Sequence, residues 1–309
     1  MPFPKSDKIW MDGELVDWDD ATVHVLTPTL HYGYGVFEGI RAYPTDRGPA
    51  VFRLREHMQR LLNSAKIYPP LDDVPYDLDQ LCDAVVETIR ANGHTEGCYI
   101  RPTIILGYGE MGLNPIPSSP QTIIATWEWG SYLGEDALVN GVRVMMSSFR
   151  RIGLNTIPPA SKANGQYLNS SLAKVEALRA GYDEAIMLND AGYVSEGTGE
   201  NIFVINGETI TTPPLSDGPL GGITRSSVME IARDLGFEVL ESSVVRSDLY
   251  LADEIFLTGT AAELTPVREV DGRVVGPRGP VTEKVQSTFM DVVRGKVDQY
   301  KDWLTFVHD

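Results

Sequence analysis

Hydrophobic residues recur at helical spacing in two segments of the first third of the chain. Apolar positions at intervals of three and four residues lie on one face of an α-helix. In residues 55–67 these positions are Met58, Leu61, Leu62 and Ala65, and in residues 77–91 they are Leu78, Leu81, Cys82, Val85, Val86 and Ile89. Two amphipathic helices are therefore predicted, and Gly93 is a typical stop signal for the second.

Alternating and short apolar runs predict strands elsewhere. Near the start of the chain, two such runs flank Asp12-Gly13, a pair typical of a hairpin turn. Further strands are predicted over residues 99–106, 122–127, 142–149, 184–188, 202–205, 237–241 and 254–257. Helices are predicted over residues 170–180 and 226–235, and each is followed by a glycine.

Residues 129–134 break both the helical and the strand period. The sequence therefore predicts a two-domain chain of the α/β class with mixed α+β sheets. A small N-terminal domain is expected at residues 1–126, a linker at 127–136 and a larger C-terminal domain at 137–309.

The composition narrows the class of protein. The chain has 309 residues, of which 42% are hydrophobic, and a formal net charge of −17. This charge argues against nucleic acid or an anionic membrane as a partner, because both require clustered Lys and Arg. No apolar run reaches membrane-spanning length, and residues 1–8 hold no apolar core of signal-peptide length, so a soluble cytoplasmic protein is expected. The histidines and the two cysteines lack metal-ligand spacing, and no metal site is expected.

Residues 107–112 form a GxGxxG pattern directly after a predicted strand. Such a pattern binds a dinucleotide only when a helix starts at its last glycine. Here Pro115, Pro117 and Pro120 follow, and prolines at that spacing prevent a helix. A glycine-rich loop between strands is the better interpretation.

Three separate features suggest the chemistry of pyridoxal phosphate. Lys162 lies in a Pro-, Gly- and Asn-rich stretch, Glu196 lies beside a predicted strand, and residues 221–225 form a glycine turn before a helix. An amine can form a Schiff base with the cofactor's aldehyde, and a carboxylate can keep its pyridine nitrogen protonated. Backbone N–H groups of the turn can bind its phosphate.

Each feature also has a plain structural explanation. Lys162 alone is typical of a solvated surface lysine, Glu196 of an exposed acid after a turn, and the glycine turn of an ordinary helix start. Tyr167 is a candidate donor to the cofactor's phenolic oxygen, and residues 258–262, at the end of another strand, offer further hydroxyl and backbone donors. Arg60 is either a phosphate ligand or a solvated helix residue.

Several motifs together resemble the class IV aminotransferases, which are pyridoxal-phosphate enzymes of fold type IV, and within them the bacterial branched-chain group. The resemblance covers nearly the whole chain. It depends on residues 31–41, 52–61, 99–102, 112–115 and 155–158, and above all on the long signature over residues 196–225. Gln166 and Ala42 are small departures that leave the cofactor set intact.

The resemblance implies a role for each matching residue. Lys162 would carry the cofactor and move the proton, Tyr167 would contact the phenolic oxygen and Glu196 the ring nitrogen. The phosphate would be held by Arg60, Gly222, Ile223, Thr224 and Thr260.

The substrate site that the resemblance implies is apolar and shared between subunits. Its side-chain pocket would comprise Phe37, Gly39, Trp129 and Tyr167, with Tyr32 and Leu113 from a neighbouring copy. The α-carboxylate would meet Thr260, Ala261 and Tyr99, and Arg101 would bind the distal carboxylate of glutamate. A homodimer is the minimum assembly, and a hexamer built as a trimer of dimers stays open.

The predicted activity is transfer of the amino group of L-leucine, L-isoleucine or L-valine to 2-oxoglutarate. Alternatives within the fold are a D-amino-acid aminotransferase, an (R)-amine transaminase and an aminodeoxychorismate lyase. Outside these enzymes, a non-catalytic ligand-binding relative and a nicotinamide oxidoreductase are the alternatives. The intact lysine counts against the first of these two, and the proline run after Gly112 counts against the second.

Overall fold

A computed structural model describes residues 4–130 and 134–308. Ser131, Tyr132 and Leu133 of the predicted linker lie outside the described residues. The chain forms two compact units. The first unit comprises Met1–Trp129, Ser161–Gly165 and Asp291–Asp309, and the second comprises Gly130–Ala160 and Gln166–Met290. These ranges differ from the predicted domains, whose boundaries stay a prediction.

The described residues form helices and strands in the following order. The helices are α1 Pro28–Tyr32, α2 Leu54–Ala65, α3 Leu78–Ala91, α4 Glu135–Asn140, α5 Tyr167–Arg179, α6 Ile223–Asp234, α7 Arg246–Leu251 and α8 Pro280–Val293. The strands are β1 Lys8–Met11, β2 Glu14–Asp17, β3 Gly35–Phe37, β4 Ile40–Thr45, β5 Gly48–Phe52, β6 Cys98–Leu106, β7 Pro120–Trp127, β8 Val142–Met146, β9 Glu184–Leu188, β10 Val194–Gly197, β11 Asn201–Asn206, β12 Thr209–Thr212, β13 Glu238–Glu241, β14 Glu254–Gly259, β15 Glu263–Val270, β16 Arg273–Val274 and β17 Leu304–Phe306.

The first unit contains an antiparallel sheet with the strand order β17-β5-β4-β6-β7-β1-β2, and β3 pairs with β6. The predicted hairpin at its edge is confirmed, because β1 and β2 pair around Asp12 and Gly13, which both have positive φ. The residues of the GxGxxG pattern form a loop between β6 and β7 without a helix, as predicted.

Two amphipathic helices supply the core of the first unit. Met58 and Leu61 of α2 and Leu81 and Val85 of α3 are fully buried in one hydrophobic cluster with strand residues such as Ile100. At the start of α3 the Asp77 side chain accepts from the backbone N–H of Gln80, and the Gln80 side chain accepts in return from the Asp77 backbone. Such a capping box satisfies two N–H groups that the helix itself cannot pair. Both predicted helices are confirmed to within two residues.

The second unit contains a mixed sheet with the strand order β10-β9-β8-β15-β14-β11-β12-β13, and β16 pairs with β15. The pairs β8–β9, β8–β15 and β12–β13 are parallel, whereas the other pairs are antiparallel. Helix α5 packs on β9 through Ala173 and Ala177. This sheet and the sheet of the first unit give the predicted α+β arrangement.

Three predicted boundaries in the second unit are wrong. The strand predicted over residues 142–149 ends at Met146, because the Ser147 hydroxyl and the Ser148 backbone N–H both donate to the Glu176 carboxylate. The helices predicted over residues 170–180 and 226–235 each begin three residues earlier, at Tyr167 and at Ile223. No helix in the described part of the chain is long and apolar enough to cross a membrane.

Candidate active site

Lys162 lies on irregular backbone in the first unit, and both its N–H and its carbonyl form hydrogen bonds. Its backbone N–H donates to Ser64 Oγ of α2 at 3.0 Å, and its carbonyl accepts from the Phe37 N–H at 3.0 Å. The next residue, Ala163, forms a bridge to Val36. The Lys162 side chain is half-buried, and its Nζ lies 4.9 Å from the centroid of the Phe37 ring. The lysine is therefore positioned by a fixed backbone, on a loop as predicted.

Glu38 is a completely buried carboxylate between β3 and β4. Its Oε1 accepts from Arg60 Nε at 2.6 Å, and its Oε2 accepts from Arg60 Nη2 at 2.8 Å. His57 lies one helical turn before Arg60 on α2, and its Nδ1 lies 2.8 Å from Oε2. Because an ionised carboxylate only accepts hydrogen bonds, His57 Nδ1 is the donor in this contact.

The buried cluster shifts the pKa values of two of its members. Burial acts to raise the pKa of Glu38, but the Arg60 charge and the hydrogen bonds from His57 and Arg60 outweigh it and lower this pKa well below its usual range. Burial lowers the pKa of His57, against the opposite effect of Glu38, and the Arg60 and Lys162 charges lower it further. The arginine thus keeps the buried carboxylate ionised, and burial favours the neutral form of the neighbouring histidine.

An aromatic cluster surrounds Arg101 in the first unit. The Arg101 guanidinium carbon lies 4.8 Å from the ring centroid of Phe37, 5.3 Å from that of Tyr99 and 5.9 Å from that of Trp127. Arg101 Nη2 donates to Tyr99 Oη at 3.0 Å, while its Nε is buried without a hydrogen-bond partner among the described residues. Trp129 packs edge-on against Tyr99 with 4.6 Å between ring centroids. The Arg101 guanidinium is therefore surrounded by aromatic rings.

Two smaller contacts shape this cluster. A Cβ atom at Gly39 would lie 2.1 Å from Tyr99 Oη, so only glycine leaves the tyrosine in its place. Arg41 Nη2 donates to the Trp129 carbonyl at 2.8 Å, which fixes the backbone of that tryptophan. The predicted residues Phe37, Gly39, Tyr99 and Arg101 are thus neighbours.

Glu196 is buried in the second unit at the end of β10, not exposed as a plain turn acid would be. Its Oε1 accepts from Arg151 Nε at 2.7 Å, and both groups are more than nine-tenths buried. Its Oε2 accepts from the Leu220 N–H at 3.0 Å and from Asn201 Nδ2 at 3.4 Å. Three protein donors therefore fix this carboxylate beside the glycine turn.

The glycine turn begins α6, as predicted. Helix α6 starts at Ile223 with Gly222 as its N-cap, no side chain caps it, and its first turn holds no acidic residue. A Cβ at Gly222 would lie 2.0 Å from Asn201 Oδ1, so the absence of a side chain lets Asn201 pack against the turn. Asn201 Nδ2 also donates to the Leu220 carbonyl at 2.9 Å. The uncapped N–H groups of Ile223 and Thr224 are the kind of donors that bind anions.

Thr260 and Ala261 lie in the turn between β14 and β15. This turn is close to the Glu196 region, because Thr258 pairs with Asn201 and a Cβ at Gly259 would lie 3.3 Å from the Gly199 carbonyl. The second unit thus brings together the predicted residues Glu196, Gly222, Ile223, Thr224, Thr260 and Ala261 at one end of its sheet.

Glu200 and Glu184 are two buried acids of the second unit that lie close enough to interact. Burial raises the pKa of Glu200 to about 8, and nearby Glu184 adds to the rise while Lys174 opposes it. Glu184 is itself completely buried, and it accepts hydrogen bonds from Lys174 Nζ and Thr198 Oγ1, both at 2.7 Å.

Tyr32 and Leu113, the residues assigned to a neighbouring copy, are exposed in this chain, at 45% and 87% of their surface. Tyr167 is half-buried at the first position of α5.

Sequence reasoning assigned no site role to Glu38, His57, Arg151, Gln166 or Asn201. Glu38 carries a local signal, an acid between apolar residues and a glycine, whereas the hydrogen-bond partners of His57 and Arg151 lie 15 or more residues away in sequence.

The residues present suit an anionic aldehyde cofactor. In the second unit, Arg151 Nη1 and Thr258 Oγ1 are buried without hydrogen-bond partners among the described residues, and the α6 N-terminus is uncapped. In the first unit, the amine of Lys162 is half-buried on fixed backbone. These groups offer the amine and the anion donors that the sequence predicts.

Comparison with known families decides the class of the chain. The model of the family described as amino-transferase class IV matches residues 35–270. The chain belongs to this family. The predicted resemblance and the mixed α/β fold class are thereby confirmed.

Several branched-chain amino acid aminotransferases are similar to this chain over nearly its full length. A branched-chain-amino-acid aminotransferase of Pseudomonas aeruginosa is 49% identical over 301 residues, which is 97% of both chains. The crystal structure of an Escherichia coli branched-chain amino acid aminotransferase superposes with a TM-score of 0.94 at 48% identity, over 98% of this chain and 100% of that chain. The T.th. branched-chain enzyme complexed with N-(5'-phosphopyridoxyl)-L-glutamate gives a TM-score of 0.92 at 44% identity, over 98% and 99% of the two chains.

Proposed function

We propose that this aminotransferase moves the amino group of L-leucine, L-isoleucine or L-valine to 2-oxoglutarate, with pyridoxal 5'-phosphate as cofactor. Full-length similarity to branched-chain-amino-acid aminotransferases supports this substrate class over the D-amino-acid, amine and lyase alternatives. The cofactor is supported by the family and by the phosphopyridoxyl compound in the T.th. structure.

The placement of Arg101 carries the substrate proposal. Branched-chain amino acids and glutamate differ at the end of the side chain, where one is apolar and the other is a carboxylate. Phe37, Tyr99 and Trp127 offer apolar surface, and burial of a leucine side chain contributes about 1.5–3 kcal/mol. The unpartnered Nε of Arg101 can pair with a carboxylate in the same place.

The cofactor, when bound, supplies an aldehyde carbon and an electron-withdrawing ring. Lys162 Nζ would be the amine that holds the aldehyde carbon, and it would be the base that accepts the proton of the substrate's α-carbon. Glu196 would hold the ring nitrogen, and Arg151 and Asn201 keep its carboxylate in place. Ile223, Thr224 and Thr260 would bind the phosphate with backbone and hydroxyl donors, and Arg60 would add a cation.

Tyr167, Tyr99 and the turn at residues 260–261 complete the assignment. Tyr167 donates its hydroxyl to the cofactor's phenolic oxygen. The backbone of Thr260 and Ala261, with the Tyr99 hydroxyl, binds the substrate's α-carboxylate. Trp129 and Gly39 shape the space for the side chain, because Trp129 packs on Tyr99 and Gly39 lets Tyr99 approach.

A homodimer is part of the proposal. Tyr32, Leu113 and further apolar residues near them are exposed, including Val25, Leu30, Tyr108 and Ile116, and exposed apolar surface of this kind is typical of subunit interfaces. In the dimer, Tyr32 and Leu113 reach the site of the neighbouring copy. Sedimentation velocity distinguishes the dimer from a hexamer.

A half-reaction panel tests the substrate proposal. The holoenzyme is mixed with single amino donors, and conversion of the bound cofactor is followed by absorbance. L-leucine, L-isoleucine, L-valine and L-glutamate should react, whereas D-alanine should not. Arg101→Leu should lower kcat/KM for L-glutamate by roughly 10- to 100-fold, because a hydrogen bond to a charged group is lost, and should lower it less for L-leucine, which has no distal carboxylate. Fast reaction with D-alanine, or an equal loss for both substrates, contradicts the proposal.

A further inference from the structure

Gln166 links Glu196 to the backbone that precedes Lys162 through a chain of buried hydrogen bonds in the second unit. Gln166 Oε1 accepts from Arg151 Nη2 at 3.2 Å, and Gln166 Nε2 donates to the Pro158 carbonyl at 2.8 Å. Arg151 Nε in turn donates to Glu196 Oε1 at 2.7 Å. Gln166 is 2% exposed and Arg151 is 6% exposed, so water does not replace these contacts.

The geometry requires both the length and the amide of Gln166. A guanidinium is planar, so fixing one terminal nitrogen also fixes the direction in which Nε points. The Gln166 amide offers one acceptor to Arg151 and one donor to Pro158, which are the two complementary groups needed at these positions. Asparagine is one methylene shorter, and methionine has similar volume without either hydrogen-bonding group.

We infer that Gln166 is a positioning residue that acts through Arg151 to orient the Glu196 carboxylate. This inference rests on the proposed function, in which Glu196 holds the ring nitrogen. The same network continues through Glu196 Oε2 to the Leu220 N–H and Asn201, directly before the glycine turn. Gln166 thus connects the start of α5, where Tyr167 lies, to the residues assigned to the cofactor's ring and phosphate.

The chain contains a matched control in Gln286. This glutamine is also buried, its Oε1 accepts from Arg278 Nη1 at 2.7 Å, and its Nε2 donates to the carbonyls of Leu138 and Leu264. Gln286→Met therefore removes the same kinds of contact as Gln166→Met, but these contacts go to Arg278, Leu138 and Leu264 and not to the Arg151–Glu196 pair. A loss that follows from destabilisation alone should be similar in the two variants.

The test measures the dissociation constant of pyridoxal 5'-phosphate from apoprotein by absorbance titration. Thermal melting and circular dichroism of each apoprotein show whether it is folded. Gln166→Met should weaken cofactor binding by roughly tenfold, through loss of a hydrogen bond to a charged group, and Gln286→Met by less than about twofold. Gln166→Asn should also weaken binding, and it serves as the milder variant if Gln166→Met does not fold.

A double-mutant cycle tests whether Gln166 acts through Arg151. Arg151→Lys keeps a positive charge but lacks the fork that reaches both Glu196 and Gln166. Adding Gln166→Met to Arg151→Lys should weaken cofactor binding by less than about a further twofold, because Arg151→Lys has already removed the Nη2 group that donates to Gln166 Oε1. Independent, multiplicative losses would overturn the inference.

Reductive trapping of wild-type protein separates the two possible failures. If the cofactor is trapped on Lys162 but Gln166→Met binds it like wild type, the positioning role is wrong and the proposed function stands. If no cofactor is trapped on Lys162 in wild type, the proposed function fails and this inference fails with it.

Discussion

Arg60 and the fully buried Glu38 form an ion pair in which two guanidinium nitrogens donate to the two oxygens of one carboxylate, at 2.6 and 2.8 Å. Removing one partner of such a pair leaves an uncompensated buried charge. Arg60→Met should therefore lower the free energy of unfolding of the apoprotein by about 3–5 kcal/mol, measured by urea denaturation. The apoprotein is used because Arg60 is also assigned to the phosphate.

The control for this pair removes both charges. Arg60→Met combined with Glu38→Gln should cost less than Arg60→Met alone, because no ionised group is then left buried without its partner. If Arg60→Met costs less than about 1 kcal/mol, the pair behaves like an exposed salt bridge and the description of Glu38 as a buried anion is contradicted.

The contact between Gly39 and Tyr99 predicts a second outcome. An alanine methyl at position 39 would lie 2.1 Å from Tyr99 Oη, and the tyrosine ring cannot move freely because Trp127 and Trp129 pack on it. Gly39→Ala should cost roughly 1–3 kcal/mol of stability through overpacking. It should also lower kcat/KM for L-leucine at least about tenfold, because the displaced tyrosine misplaces the substrate.

Tyr99→Phe provides the matched background, because it removes the hydroxyl oxygen that an alanine methyl at position 39 would meet first. Gly39→Ala should then cost less activity in the Tyr99→Phe protein than in wild type, as measured by steady-state kinetics. Equal losses in both backgrounds would show that the Tyr99 hydroxyl is not the group that excludes a side chain at position 39.

Glu200 predicts a pH dependence of stability. Its pKa in the folded protein is raised from the usual 4.5 to about 8, chiefly by burial. Between these pH values the folded chain keeps a proton that the unfolded chain has lost, so this group's contribution to stability is complete below about pH 4.5 and falls as the pH rises towards 8. Glu200→Gln should remove this slope, which for one proton is at most about 1.4 kcal/mol per pH unit.

The measurement compares urea unfolding of wild type and Glu200→Gln from pH 5 to pH 9. The two free energies should diverge with rising pH up to about pH 8, with the variant becoming relatively more stable, and then run parallel. Curves that are parallel over the whole range would show that Glu200 has the same pKa in the folded and unfolded chains.

The sequence predicted the elements whose local pattern alone determines them. Helices α2 and α3 have one buried face, so residues such as Met58 and Leu81 repeat at helical spacing. Strands β4 and β5 were not predicted, because Pro44 and the Gly48-Pro49 pair lie within them and resemble turn residues. Their pairing with each other, which overrides these local signals, is a tertiary contact.

The same distinction applies to the site. Lys162, Glu196 and the glycine turn could be proposed because their residue types suit one cofactor, and the family resemblance then connected them. The side chains that hold these residues in place could not be proposed from the sequence. Glu38 and Arg60 are 22 residues apart, and Arg151 and Glu196 are 45 residues apart. Only the folded sheets and helices bring these partners within hydrogen-bonding distance.

The central claim is that Lys162 Nζ carries the cofactor. Borohydride reduction of the holoenzyme converts the linkage into a stable amine, and proteolysis followed by mass spectrometry locates the modified residue. A phosphopyridoxyl group is expected on the peptide that contains Lys162, and Lys162→Ala should show neither this adduct nor transamination. A modification on another lysine, or an unmodified Lys162 in active enzyme, would contradict it.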